Sequence, residues 1–290
     1  MHDGRGKNRQ AYLWQYSHPN GSVVFDFRLG REREGPKRFL GNFEGILQSD
    51  GYGAYDRVGG PGVVHAGCWA HARRKFFQAV ELNPKDQSAI GIVARMDELF
   101  GVDARARDQA LSQEERQLLR LDKSKPLLEQ IKTQIQTARS DALPKSALAK
   151  ACNYTLTLWT RLSRFLDYPQ LELSNNVAEN SMRPVALGRR NWIHIGSEQA
   201  GPRVAAIVSV VETCRRLKIP FRHYLGSVLP GLSDFPINRI AELTPPPGRP
   251  ETNRRYERVS VGPGATREQP APRCCERLQA VVEPVLHVRG

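Results

Sequence analysis

The sequence predicts an α/β protein, with a strand-rich first third, a helical remainder and a C-terminal segment of different character. Three observations carry this. Residues 22–28 alternate, placing Val23, Phe25 and Phe27 on one face with the two-residue period of a half-buried strand. Residues 88–168 repeat apolar side chains at helical spacing instead. From Pro245 onward Pro, Gly and Arg dominate and neither period survives.

Taken in order, residues 11–16 form an apolar, aromatic run and residues 22–28 a second one. His18-Pro19-Asn20-Gly21 lies between them as a turn signal, so the two runs predict an antiparallel hairpin. Residues 35–43 predict a short helix, with Pro36 in its first turn, where a missing N–H costs nothing. Residues 45–50 predict a strand ending on Asp50, and residues 62–69 another, leading into a basic helix over 70–80. Helices follow over 88–100, 124–140 and 144–168, the last with Leu148, Cys152, Leu156, Trp159, Leu162 and Leu166 on one face. Residues 173–187 read as a loop entering a helix, and 191–195 as a short aromatic strand or turn. A helix over 202–217 is expected to turn Val204, Ile207, Val208 and Val211 inward, and 220–229 predict a last short helix. The segment 245–290 is expected to be a disordered tail. A frame-shifted end has the same composition, and no lysine follows Lys218.

The chain has 290 residues and a formal net charge of +13, a balance that suits a polyanionic partner, DNA or RNA first. Five scattered cysteines, odd in number, do not form a disulfide framework and fit reduced thiols in a cytoplasm. No apolar h-region opens the chain and no apolar run is long enough to span a bilayer, so neither a secretory signal nor a membrane is expected.

Two acids stand out. Asp50 ends a strand before Gly51 and Gly53, where a carboxylate reaches the crevice above a sheet; it equally suits a turn-forming Asp before Gly. Glu179 lies at the start of a helix, either as a metal ligand or completing a capping box with Asn176. Basic and aromatic residues follow each acid. Arg73, Arg74 and Lys75 follow Asp50, while Arg183, Arg189, Arg190 and Trp192 follow Glu179. Such cations suit phosphate backbones, and Trp192 suits stacking on an unpaired base; a solvated basic face is the plainer alternative. His65-x-x-Cys68-x-x-His71 has the spacing of half a zinc site, against which a buried Cys68 beside a helix-start His71 is the simpler reading. No Gly-rich phosphate loop is present, since Gly262–Gly264 lacks a strand-helix setting.

Several blocks resemble the insertion sequence 66 family of bacterial transposases. They are Tyr12-Leu13-Trp14, Leu47-Gln48-Ser49-Asp50-Gly51-Tyr52, Cys68-Trp69-Ala70-His71-Ala72-Arg73-Arg74-Lys75-Phe76, Asn175-Asn176-Val177-Ala178-Glu179-Asn180, Arg183 through Trp192, and Ser209-Val210-Val211-Glu212-Thr213. They run in order from about Tyr12 to Leu243. The resemblance implies a ribonuclease-H-like mixed sheet with a helical insertion over about 84–170, C-terminal helices over about 200–244, and a catalytic domain over 1–244. It implies an Asp-Asp-Glu triad holding two Mg²⁺ or Mn²⁺ ions, with Asp50 matching the second acid and Glu179 the third. It further implies DNA partners (element ends and target), assembly as a homo-oligomer in a transpososome, and a place in the bacterial cytoplasm at the nucleoid. The block carrying the first acid has no match. Asp3 has the wrong neighbours, and Asp26 lies inside a strand as a structural or secondary acid. The chain is therefore expected to be a truncated transposase with little strand-transfer activity and reduced fold stability, or a non-catalytic DNA-binding remnant.

Overall fold

The computed structural model describes residues 9–192, 195, 197–245 and 277–288. It opens with strands β1 (Arg9–Ser17) and β2 (Val23–Arg28), then helix α1 (Glu34–Leu40) and strands β3 (Ile46–Gln48) and β4 (Val64–Ala66). Helices α2 (Trp69–Leu82), α3 (Gln87–Asp108), α4 (Gln113–Leu119), α5 (Lys125–Asp141), α6 (Ala147–Thr157) and α7 (Trp159–Ser163) follow. The chain continues through α8 (Asn176–Trp192), α9 (Ala200–Arg216) and α10 (Phe221–Val228) to strand β5 (Arg277–Val288). Mixed α/β architecture with small sheets and a helical majority is what the sequence predicts.

The chain divides into two compact units. The first comprises residues Met1–Gly45, Ala54–Val63 and Val177–Gly290, the second Ile46–Gly53 and Val64–Asn176.

In the first unit β1 and β2 form the expected hairpin, with Tyr12 opposite Arg28 and Ser17 opposite Val23. The turn closes through the Gly21 N–H, which donates to the His18 carbonyl at 3.1 Å. Val23, Phe25 and Phe27 are buried with Ala11, Leu13, Met182, Val185 and Ala205. The second edge of β1 pairs antiparallel with β5, from Arg9 opposite Val288 to Ser17 opposite Gln279, with one irregularity between Ala11 and Tyr12. Residues 277–288 are therefore a strand and not part of a disordered tail. Val281, Val282, Val285 and Val288 give this stretch the β-branched content that suits a ladder, which the Pro- and Arg-rich average of the tail conceals. Residues 246–276 lie outside the described residues.

Helix α9 protects the outer edge of β2. Gly201, Ala205, Ser209 and Thr213 recur every fourth residue and form one line along the helix. The Phe25 N–H donates to Ser209 Oγ at 2.8 Å. The Val23 N–H donates to Thr213 Oγ1, and the Thr213 hydroxyl donates to the Val23 carbonyl, both at 3.0 Å. Edge groups that would otherwise template a foreign strand are thereby occupied. The expected inward face is corrected in part: Val204 and Val208 pack half-buried against the core of this unit, whereas Ile207 is 61% exposed. Hydrophobicity favours those residues, but a helix approaching a strand edge this closely needs small and hydroxylated ones.

Helix α8 runs unbroken through Pro184 to Trp192, so residues 191 and 192 are helical and not the expected strand or turn. Proline cannot donate to the carbonyl four residues earlier, which is that of Asn180. Arg215 Nη2 donates to this oxygen at 3.4 Å, supplying a partner the helix itself does not.

In the second unit β3 and β4 pair in parallel, with Leu47 opposite His65. Helices α2, α3, α5 and α6 bury Phe76, Ile92, Met96, Leu99, Ile131 and Cys152 together. The predicted helix over 144–168 is divided: α6 ends at Thr157, Leu158 sits at φ −94° and ψ 5°, and α7 and a 3-10 turn over Arg164–Leu166 follow. Helix α4 was not expected, because none of its residues is buried and its apolar period is short; it is fixed instead by the Ser112–Glu115 capping box.

A π-helical turn, Arg120–Ser124, joins α4 to α5 and buries Arg120 completely. Its guanidinium donates to Asp103 Oδ1 from Nε at 2.9 Å and from Nη2 at 2.7 Å. It also donates to the carbonyls of Phe165 at 3.0 Å and Leu171 at 2.8 Å. Arg116 bridges Asp103 and Glu172 at 2.7 and 2.9 Å. A buried cation is tolerated where its donors are satisfied in this way.

Candidate active site

The expected strand over 45–50 is shorter, ending at Gln48, so Asp50 lies two residues beyond β3 in the turn that follows it. Gln48, fully buried on β3, donates from Nε2 to the carbonyls of Gly67 at 3.1 Å and Glu172 at 2.8 Å. It thereby ties the strand to the segment that carries the Arg116–Glu172 pair. The Asp50 carbonyl accepts from the Tyr154 hydroxyl at 2.5 Å. Asp50 Oδ1 accepts from the Tyr52 N–H at 2.9 Å, and Gly51 between them has φ +86°. The turn-forming reading of Asp50 is thus realised. Glycine is required at 51, since a Cβ there would also lie 2.5 Å from Leu158 Cδ1. The side chain is only partly buried, and it is Oδ1, not Oδ2, that closes this turn.

The basic helix α2 packs against α6, which carries Tyr154. Arg74 and Lys75 are exposed on α2, and Lys75 Nζ lies 5.7 Å from the centroid of the Tyr154 ring. Burial, and after it the negative charge of Asp50, push the Tyr154 hydroxyl well above its ordinary range, while Arg74 opposes the shift. Tyr154 therefore stays a neutral donor to Asp50. Arg73 points elsewhere: Nε and Nη2 donate to Asp97 at 2.5 and 2.9 Å.

Glu179 belongs to the first unit, in the first turn of α8, and is half-buried. Arg183 is exposed one turn later. The side chains of Arg189, Arg190 and Trp192 lie outside the described residues, as does Asp3. Asp26 pairs with Arg28 at 2.6 Å, in keeping with a structural acid.

Among the described residues no group of three or more His, Cys, Asp or Glu side chains is placed to hold a metal ion. Asp50 and Glu179, one in each unit, do not by themselves make a metal site. The spacing of His65, Cys68 and His71 does not produce a zinc site among the described residues either. Cys68 is buried just before α2, and among the described residues Cys68, Cys152 and Cys214 form no disulfide. Among the described residues no helix is long and apolar enough to cross a membrane.

Sequence reasoning did not single out Gln48 or Tyr154. Gln48 lies within a block that carries the family resemblance, but nothing in the sequence marks it as the tie between strand and loop. Tyr154 lies 104 positions from its partner in a helix that reads as packing.

A strand-end carboxylate supported by a basic helix is an arrangement suited to a protein that acts on a phosphate backbone. The sequence profile of the transposase IS66 family matches residues 1–203, and the chain belongs to that family. Its curated relatives include three proteins of Sinorhizobium fredii (strain NBRC 101917 / NGR234). The uncharacterized protein y4hP is 35% identical over 265 residues, covering 83% of this chain and 48% of its own length. The uncharacterized protein y4jD is 34% identical over 238 residues, covering 78% and 45%. The uncharacterized protein y4qI is 31% identical over 261 residues, covering 83% and 48%. The chain thus spans about half the length of the curated relatives it matches. No solved structure matches it significantly.

Proposed function

We propose that this chain is catalytic-domain sequence of a transposase that cuts and joins DNA with the help of Mg²⁺ or Mn²⁺, and that Asp50 and Glu179 are two of its three essential carboxylates. The observation that carries this is the setting of Asp50: a partly exposed carboxylate at the end of a parallel strand, next to the exposed cations of α2. Carboxylate oxygen is the donor type that Mg²⁺ and Mn²⁺ prefer. Such ions, when bound, polarise the scissile phosphate and the attacking oxygen. The chain's own residues hold Asp50 in place through Tyr154 and Gln48, and Arg74 and Lys75 draw in the phosphate backbone.

The test is strand cleavage and transfer of element-end DNA with Mg²⁺ or Mn²⁺, by this chain and by a full-length relative. The relative is expected to be active and to lose activity on substitution of the acids that match Asp50 and Glu179, whereas this chain alone is expected to transfer little or no DNA. Transfer by this chain that Asp50→Ala abolishes would overturn the second expectation. A relative that remains active without these acids would overturn the assignment. Salt-sensitive DNA binding without cleavage by either would assign a non-catalytic, DNA-binding role.

A further inference from the structure

We propose that the concavity between α2 and α3 is a subsite for a single unstacked nucleobase of DNA, a proposal that rests on the reading of this chain as acting on DNA. The concavity lies wholly within the second unit and has a volume of about 350 Å³. That is the small end of the range for sites that enclose one small ligand, roughly 300–1,000 Å³. It admits one base and excludes a duplex.

Its lining matches a flat heteroaromatic group better than a bare anion or a lipid. Phe77 contributes a ring that is 42% exposed, one turn after Arg73 and Arg74 on α2. An exposed ring there is a stacking surface, and every base offers a π-face to it. The Arg73 guanidinium lies 5.7 Å from the centroid of that ring and is held in place by both oxygens of Asp97. That ion pair offsets the Arg73 charge, so Arg73, seated over the Phe77 ring, is a second planar group for a base to meet and not a phosphate contact. Asp97 and Asn176 bring acceptors and a donor to the rim, suited to the edge of a base. Arg74, exposed at the same rim, adds positive charge where the phosphate of that nucleotide would lie. Taking a base out of a duplex costs least at a single-stranded end or mismatch, so DNA with an unpaired nucleotide is the ligand the subsite favours.

The full chain should be titrated against a labelled duplex and the same duplex carrying a short single-stranded overhang, with 2-aminopurine in one overhang position. Phe77→Ala is expected to weaken overhang binding by about 5- to 150-fold, the usual range for losing one stacked base, with less than a two-fold change on the blunt duplex. Phe77→Trp is expected to keep the overhang preference, and the native chain to quench 2-aminopurine more than Phe77→Ala does. Equal losses on both DNAs, or no loss on either, would overturn the subsite while leaving DNA binding intact. Failure of the native chain to bind either DNA would overturn both this proposal and the reading beneath it. Phe77 is exposed, and an unchanged circular dichroism melt would separate lost stacking from lost fold.

Discussion

The Thr213 hydroxyl on α9 both accepts from the N–H and donates to the carbonyl of Val23, at 3.0 Å each way, so one side chain satisfies both edge groups of that residue of β2. Thr213→Val keeps the shape and removes both bonds, leaving a buried donor and acceptor unpaired. We expect a loss of about 1–3 kcal/mol in unfolding free energy, measured by urea titration. Ile207→Ala, on the exposed side of the same helix, should stay within about 0.5 kcal/mol. Equal effects of the two would mean that α9 does not seat on the strand edge.

Gly201 lies at the start of the same line. A Cβ there would stand 2.4 Å from the Phe27 ring. Gly201→Ala is therefore expected to destabilise by roughly 1–3 kcal/mol, although alanine is the better helix former. Phe27→Leu in the same chain should recover part of the loss, read as a positive coupling in a double-mutant cycle.

Arg120 and Asp103 are both buried, and Arg120 also holds the carbonyls of Phe165 and Leu171. Arg120→Met leaves Asp103 without its most buried partner and frees those carbonyls, and should cost about 3–5 kcal/mol by thermal or chemical denaturation. Arg120→Lys should not rescue it, because an ammonium cannot span the same fork of acceptors. A loss below about 1 kcal/mol would show that the network adds nothing to stability.

Burial, with a smaller contribution from Asp86 and against the opposing pull of Arg139, pushes the Cys152 thiol from 9.0 up to about 11. The folded state thus keeps this proton where the unfolded chain releases it. Stability from this group is full below pH 9 and falls as pH rises from about 9 to about 11. Cys152→Ala should lower stability by about 1 kcal/mol at neutral pH through lost packing. It should also show a shallower alkaline decline than the native chain. Parallel decline of the two melting curves against pH would refute the assignment to Cys152.

Much of the local structure was legible. The alternation of Val23, Phe25 and Phe27 identified β2, and the His-Pro-Asn-Gly turn joined it to β1, because hairpin pairing is a short-range matter. The helical stripe of α5 was equally plain, since Leu128, Ile131 and Ile135 lie in the core as their spacing requires. Asp50 was visible as a strand-end acid beside Gly51, and its turn geometry followed from the Asp-Gly pair. The face of α9 was legible only in part: Val204 and Val208 reach the core, but the line that meets β2 is glycine, alanine, serine and threonine, which no hydrophobic pattern selects. Strand β5 was hidden by the composition around it, and its partner β1 lies more than 260 positions away in the chain.

By itself, then, the sequence determined the hairpin, most of the helices and the family, all of which depend on local propensity or on blocks read in order. The tertiary structure decided what those elements pack against. It turned a weakly amphipathic helix into the cover of a strand edge, set residues 277–288 beside β1, buried Arg120 among distant carbonyls, and fixed Asp50 through a tyrosine over a hundred residues away. These outcomes depend on the closing of long loops and the satisfying of buried polar groups, which are settled only when distant segments meet.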